Sequence, residues 1–236
     1  YIFTMQYYNE ILWLAALFIN FAVFLLFYRF SGKTGLFIWI GIASIIANIQ
    51  VTKLIDFFGF TITLGNILYA TTFMATDLLS ENYSKESASK SIKVGFISFI
   101  CMIILMKISV MFIPAEADFV SSSLNTIFDF MPRISLASLA AFAVSQYHDV
   151  WAYDFWKRKF PETRFIFIRN NMSTVVSQLI DSTIFTLVAF AGVYEFNVLI
   201  SIILSTCILK WIIAVLDTGC IYLAADWYRK GKVREL

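Results

Sequence analysis

The stretch that decides the fold runs Asn170-Asn171-Met172-Ser173-Thr174-Val175-Val176-Ser177-Gln178-Leu179-Ile180-Asp181-Ser182-Thr183-Ile184-Phe185. It sits in a chain that otherwise reads as membrane spans, yet it carries a carboxyl group and an amide. At about 100° per residue, Thr174, Gln178 and Asp181 fall within a narrow stripe of one helix face, while Val175, Val176, Leu179 and Ile180 cover other faces. An ionised Asp near mid-bilayer costs about 2.5–3.5 kcal/mol even on lenient insertion scales, so a chain keeps it where it faces protein, water or a ligand. The stripe is therefore expected to form one wall of a polar cavity.

Composition extends this reading to the whole chain. Of 236 residues, 60% are hydrophobic, 18% aromatic and only 14% charged, with a mean hydropathy of +0.78. A soluble domain is nearer to about 45–50% apolar and about 25% charged, so this composition belongs in lipid. No polar stretch is long enough to make a soluble domain, and residues 1–236 are expected to form a single transmembrane domain. The start at Tyr1 rather than Met suggests that a few residues are missing. Tyr1 to Glu10 has neither a basic region nor a small-residue cleavage site, so the first apolar segment is not read as a removed signal peptide. Cys101, Cys207 and Cys220 stand apart in apolar runs, which supports neither a disulfide framework nor a metal site.

Spans are expected at Ile11 to Tyr28, Thr34 to Thr52, Phe57 to Thr76, Val94 to Ile113, Ile134 to Phe155, Asn171 to Val193 and Phe196 to Tyr222. Ser31-Gly32 makes a short turn between the first two. Polar loops cover Asp77 to Lys93 and Ala115 to Pro132, the latter acidic and Ser-rich. With seven spans, fourteen of the eighteen Lys and Arg residues fall on one side, including the run Lys157-Arg158-Lys159 and the C-terminal tail. Only Lys53 and Arg133 fall on the other, and Lys107 and Lys210 lie within spans. The positive-inside rule then puts the N-terminus outside and the C-terminus in the cytoplasm. Six spans would scatter the charges over both sides.

Several polar residues fall at membrane depth. Ser44, Asn48 and Thr52 follow one stripe of the second span, and Asn66 and Asp77 share a face of the third, with Glu81 one turn beyond. Ser, Thr and Asn between membrane helices commonly serve as packing residues or interhelical hydrogen bonds. Asp77 and Glu81 read equally well as solvated interfacial acids. Lys210 and Asp217, seven apart on the last span, are expected to form a structural ion pair. Asp149 and Asp181 point to recognition instead. Each follows a Gln by three residues (Gln146, Gln178), and a carboxylate with an amide suits a donor-rich small molecule. His148, beside aromatic neighbours, is read as interfacial rather than as a proton relay. Tyr69, Phe73 and Trp151 are candidates to stack on a flat ring.

Leu64-Gly65-Asn66, the run Ala75-Thr76-Asp77-Leu78-Leu79-Ser80-Glu81, Ser145-Gln146 with Asp149-Val150, and Asn171 through Ser173-Thr174, Gln178 and Asp181 resemble the queuosine precursor transporters of the vitamin uptake transporter group. The resemblance runs from about Trp39 to Leu223 and implies an all-α polytopic membrane helix bundle: a six-helix core plus an added N-terminal helix. It also implies an inner-membrane importer of 7-deazaguanine bases or queuine. It places Asn48, Asp77, Gln146, Asp149, Ser173, Thr174, Gln178 and Asp181 at the family's recurrent polar positions, and the family usually has an apolar pair where Tyr147-His148 stands here. A 7-deazaguanine offers a ring N–H and an exocyclic amine on one edge, a donor pair suited to a carboxylate. Asp149 or Asp181 would take that edge, with Gln146, Gln178 and Asn48 completing the hydrogen bonds. The partners implied are the small-molecule base and the lipid bilayer, with a homodimer compatible, and with no nucleic acid, cofactor or metal.

Three other functions compete. The chain could be the substrate-binding subunit of an energy-coupling-factor transporter; having no Gly-x-x-x-x-Gly-Lys-Ser/Thr, it would borrow a partner's ATPase. An intramembrane enzyme would need a nucleophile with its base or a metal set, and one His with isolated Cys residues offers neither. A purely structural membrane protein would leave so many buried acids unexplained.

Overall fold

The computed structural model describes residues 7–58, 60–128, 132–192 and 195–236. Tyr1–Gln6, where the leader question arises, lie outside the described residues. Helix α1 (Tyr8–Gln50) is continuous except at Gly32, whose φ of 51° and ψ of −135° break it into two arms. Glycine enters this region without a Cβ clash, which is why the expected turn sits there. The arms fold back on one another: Trp39 of the second packs edge-on to Phe24 of the first, with ring centroids 5.4 Å apart, and lies 5.9 Å from Phe27.

Strands β1 (Leu54–Phe57) and β2 (Phe60–Thr63) then pair antiparallel, Leu54 opposite Thr63 and Phe57 opposite Phe60. This corrects the span expected over Phe57 to Thr76. Phe60-Thr61-Ile62-Thr63 alternates apolar and polar, the two-residue period of a strand, and the helix begins only at Asn66. Gly65, with φ 90°, forms the entry to α2 (Asn66–Asn82). The loop expected from Asp77 contracts to a turn at Tyr83–Ser84, since α2 runs to Asn82 and Ser84 caps α3 (Lys85–Val110) by accepting from the Ser87 N–H. A short exposed helix, α4 (Ser121–Phe128), occupies part of the expected Ala115 to Pro132 loop. Next come α5 (Pro132–Lys159), a 3₁₀ turn at Thr163–Phe165, α6 (Ile166–Phe190) and α7 (Phe196–Arg229).

Among the described residues the regular structure is thus helical apart from one hairpin, and four of the helices are long and apolar enough to cross a membrane. These are α1, α3, α6 with its leading turn, and α7. Their outer faces carry Phe18, Ile19, Leu105, Ile108 and Leu204 at half exposure or more. Contiguous apolar surface of this kind is what lipid requires and water forbids. The polar residues lie inside. α2 packs against α1, α3, α5, α6 and α7, and nearly every residue from Ile67 to Ser80 is buried, four hydroxyls and Asp77 included. α2 is less apolar because it meets other helices on nearly every side, whereas α5 pairs a buried polar face with an exposed one that carries Leu136, Val144 and Trp151.

The two ends of the bundle differ. At one, the tail runs under the α1 break: the Arg234 N–H donates to the Arg29 carbonyl, and Glu235 accepts from the Lys33 N–H and the Tyr83 hydroxyl. At the other, the hairpin lies beside the start of α1, where Asn9 donates to the Asp56 carbonyl and Glu10 accepts from the Phe58 N–H. Arg133 there donates to the carbonyls of Val188 and Ala191.

Gly65 joins α1 to α2 at van der Waals distance, because a Cβ on it would stand 2.6 Å from the Ala47 carbonyl oxygen. Gly65→Ala combines that clash with a strained φ, a loss of about 1–3 kcal/mol. The purified variant is expected to melt several degrees lower in detergent, whereas Gly219→Ala, within helix α7 and meeting nothing within 4 Å, does not lower the melting temperature.

Candidate functional site

The inward face of α6 carries the candidate site as a ladder, its rungs joined to α2, α5 and α7 in different combinations. At the basic end stands Arg169, fully buried, whose guanidinium donates to Glu81 at 2.9 Å and to the carbonyls of Phe160 and Pro161 at 3.1 Å each. Glu81 also accepts from the Tyr153 hydroxyl at 3.1 Å. Lys157 donates to the carbonyls of Ser80 and Glu81, a cation placed on the open C-terminal carbonyls of α2.

One residue further, the Asn170 amide donates to Asp217 at 3.1 Å and to Thr218 at 3.0 Å, drawing α7 against α6. The next turn presents Thr174. Its hydroxyl stands 3.4 Å from Asp77 of α2 and 3.5 Å from Asp149 of α5, so two carboxyl groups from separate helices bracket one hydroxyl. Both acids are wholly buried. Asp77 Oδ1 and Asp149 Oδ2 accept no hydrogen bond, and neither does the buried Gln178 Oε1. Buried carboxyl oxygens left without donors are costly, and a guest with several N–H groups would satisfy them.

Two turns above Thr174, Asp181 is fully engaged. It accepts from Lys210 of α7 at 2.5 Å, from the Tyr69 hydroxyl of α2 at 2.6 Å and from Ser145 of α5 at 3.2 Å. The Lys210 ammonium also lies 5.1 Å from the Tyr69 ring centre. This corrects the ion pair expected between Lys210 and Asp217. Seven residues of helix separate those two by about 10.5 Å along the axis, while Asp181 faces Lys210 at the same depth.

The expected site residues therefore divide. Asp77, Asp149 and Thr174 meet in one place, and Asp77 is no interfacial acid. Gln146 is committed to α2: its amide donates to Thr72 at 2.8 Å and its carbonyl accepts from Thr76 at 3.3 Å. Ser173 donates to its own helix at the Asn170 carbonyl. Asn48 stands apart, donating to the Ser44 carbonyl and lining a small hollow with Thr52, Phe99 and Ser135. Ser135 lies ten residues, roughly 15 Å of helix, from Ser145 toward the hairpin end. Asp149 and Asp181 do face the same interior, and at 3% exposure or less they are closed off from solvent there. Trp151 is more than half exposed and stacks on Phe155, away from the acids. His148 bonds the Ser177 hydroxyl at 2.9 Å and so ties α5 to α6. Among the described residues, no group of three or more His, Cys, Asp or Glu side chains is placed to hold a metal ion.

Ser145, Lys210 and Arg169 complete the polar interior and were not among the expected site residues, while Tyr69, expected as a stacking ring, donates its hydroxyl to Asp181. Lys210 did carry a signal, as a charge deep in an apolar helix, but periodicity within α7 cannot name a partner on α6.

Comparison with known proteins bears on what this core does. Residues 63–224 match the family described as "Putative vitamin uptake transporter", a match that begins after α1 and spans the whole ladder. A "Probable queuosine precursor transporter" of Bacillus subtilis (strain 168) is 42% identical over 217 residues, covering 92% of this chain and 95% of the relative. No solved structure matches. An interior of acids, amides and hydroxyls inside an apolar shell, with that family match and that relative, leads to one assignment: the chain belongs to the vitamin uptake transporter family and is a transport protein, not an enzyme.

Proposed function

We propose that the chain imports queuosine precursors, 7-deazaguanine bases or queuine, across the cell inner membrane, holding the base between α2, α5 and α6. The observation that carries this reading is the pair Asp77 and Asp149 around Thr174, each with a buried oxygen that accepts no hydrogen bond. A 7-deazaguanine edge brings a ring N–H and an exocyclic amine to those oxygens, and its carbonyl can accept from a hydroxyl such as that of Thr174. Asp181, with three donors already, acts as the tie that holds the helices around the site. The relative's name supports this class of substrate.

The arrangement in the membrane follows the same proposal. The two arms of α1, with α2, α3, α5, α6 and α7, make seven crossings. The basic end, with the tail, faces the cytoplasm and the hairpin faces outside. The first arm of α1 is the added N-terminal helix, and the second arm with α2, α3, α5, α6 and α7 makes the six-helix core; both arms precede the family match and pack on α2 without a side chain in the Thr174 rung. Uptake by cells devoid of energy-coupling ATPases would separate this importer from a substrate-binding subunit.

Two predictions follow from the division of roles between the acids. Asp149→Asn and Asp77→Asn should each reduce uptake of the base tenfold or more, since a hydrogen bond to a charged group contributes about 1.5–3 kcal/mol. Melting of the base-free protein should stay near that of the parent, and unimpaired uptake by both variants would remove the pair from the site. Asp181→Asn should act differently, by stranding the Lys210 ammonium in the core at a cost of about 3–5 kcal/mol. Its melting temperature should fall with or without base, and Lys210→Met in the same chain should recover much of the loss. Thermal unfolding of the single and double variants, with and without queuine, checks both.

A further inference from the structure

The interior of the bundle does not balance its own charge. α2 contributes Tyr69, Asp77 and Glu81, and α5 contributes His148, Asp149, Tyr153 and Lys157. α6 contributes Arg169 and Asp181, and α7 contributes Lys210 and Asp217. The buried titratable groups of α1 sit elsewhere: Glu10 meets the hairpin, and Tyr28 meets Asn82 and Tyr83 at the basic end. The buried residues of α3 include none. Among the described residues each cation of this interior has an acid beside it, Arg169 and Lys157 with Glu81, and Lys210 with Asp181. Asp77, Asp149 and Asp217 are left with neutral donors alone, the Thr174 hydroxyl and the Asn170 amide.

A second observation points the same way. Most of the buried polar atoms without partners around this layer are acceptors, namely Asp77 Oδ1, Asp149 Oδ2, Asn170 Oδ1, Asn171 Oδ1 and Gln178 Oε1; the exceptions are Arg169 Nε, toward the basic end, and the hydroxyls of Ser80 and Ser182. Asn170 and Gln178 are neutral and each at most 1% exposed, so this shortage of donors is not a property of the acids alone. Unpaired carboxylates inside a dry bundle are costly, because burial strips their hydration with no opposite charge in its place. What satisfies such a layer is positive charge delivered with hydrogen-bond donors, and it can arrive in two forms: a proton on a carboxyl group, or an ammonium on the guest.

We propose that the Asp77–Asp149–Asp217 layer moves one positive charge inward with each base, so that a neutral base enters together with a proton and a base bearing an ammonium enters without one. This rests on the queuosine-precursor reading and deepens it. With a neutral base, a proton leaves external water and forms an O–H bond on Asp77 or Asp149. That bond breaks on the cytoplasmic side, where the proton passes to water as the base departs. With an aminomethyl base, the protonated amine takes the proton's place against the carboxylate, and no carboxyl group changes protonation. An alkylamine of this kind stays charged through neutral pH, as the Lys side chain does.

The test uses the full chain in liposomes carrying a pH-sensitive dye, supplied with the cyano-substituted 7-deazaguanine or the aminomethyl one. Taking up one proton with each neutral base makes cyano uptake fall by up to about tenfold per unit rise in external pH. The lumen should acidify as the cyano base enters. Aminomethyl uptake should change less than about twofold over the same range, without lumenal acidification, since its amine remains protonated throughout. The same pH dependence for both bases, or cyano uptake without acidification, overturns the proposal. Transport of neither base, with the protein folded, defeats the reading of the substrate and this inference with it.

Discussion

One contact gathers the bundle. The Asp181 carboxylate of α6 is held by Lys210 of α7, Tyr69 of α2 and Ser145 of α5, so four helices converge on two oxygen atoms. In lipid the apolar faces of helices gain little from meeting one another, because the hydrocarbon around them is equally apolar. Association then relies on packing and on polar contacts that have no partner in the bilayer. An ion pair at this depth is a strong constraint of that sort, since parting its members leaves a charge uncompensated.

From this tie toward the basic end, the core passes from full satisfaction to deficit and back. Asp181 has three donors, while Asp77 and Asp149 share the Thr174 hydroxyl, with an oxygen on each left over. Asp217 has the Asn170 amide, and below it Arg169, Glu81, Tyr153 and Lys157 close the end with charged contacts between α2, α5 and α6. A ligand site is expected where a rigid frame surrounds a few unsatisfied groups, and the ladder has that form. Its frame lies above and below, and its unmet acceptors lie between.

How much of this was legible can be judged helix by helix. The α6 stripe was readable because one polar face on an apolar helix has a single sensible orientation, and Thr174 and Asp181 do turn inward. The turn at Gly32 was readable from Ser31-Gly32 with flanking charges. The start of α2 was not, because Phe57 to Thr63 is as apolar as a span and only its two-residue alternation marks the hairpin. Asp77 and Glu81 were ambiguous for a related reason. They end an apolar run, where solvated and buried acids look alike until a neighbouring helix covers them. Asn48 shows the converse: its stripe was real, but it faces a different hollow from the acids.

The sequence by itself determined that the chain is a helical membrane protein, that its charges gather at one end, and that α6 turns an acid inward. These follow from hydropathy, charge and helical period, which are properties of a single segment. Only the tertiary structure decided that Lys210 belongs to Asp181 rather than Asp217, that Gln146 is consumed by Thr72 and Thr76, and that Asp77 and Asp149 meet across Thr174. Such pairings depend on the depth and rotation of one helix against another, and no pattern within a single helix encodes them.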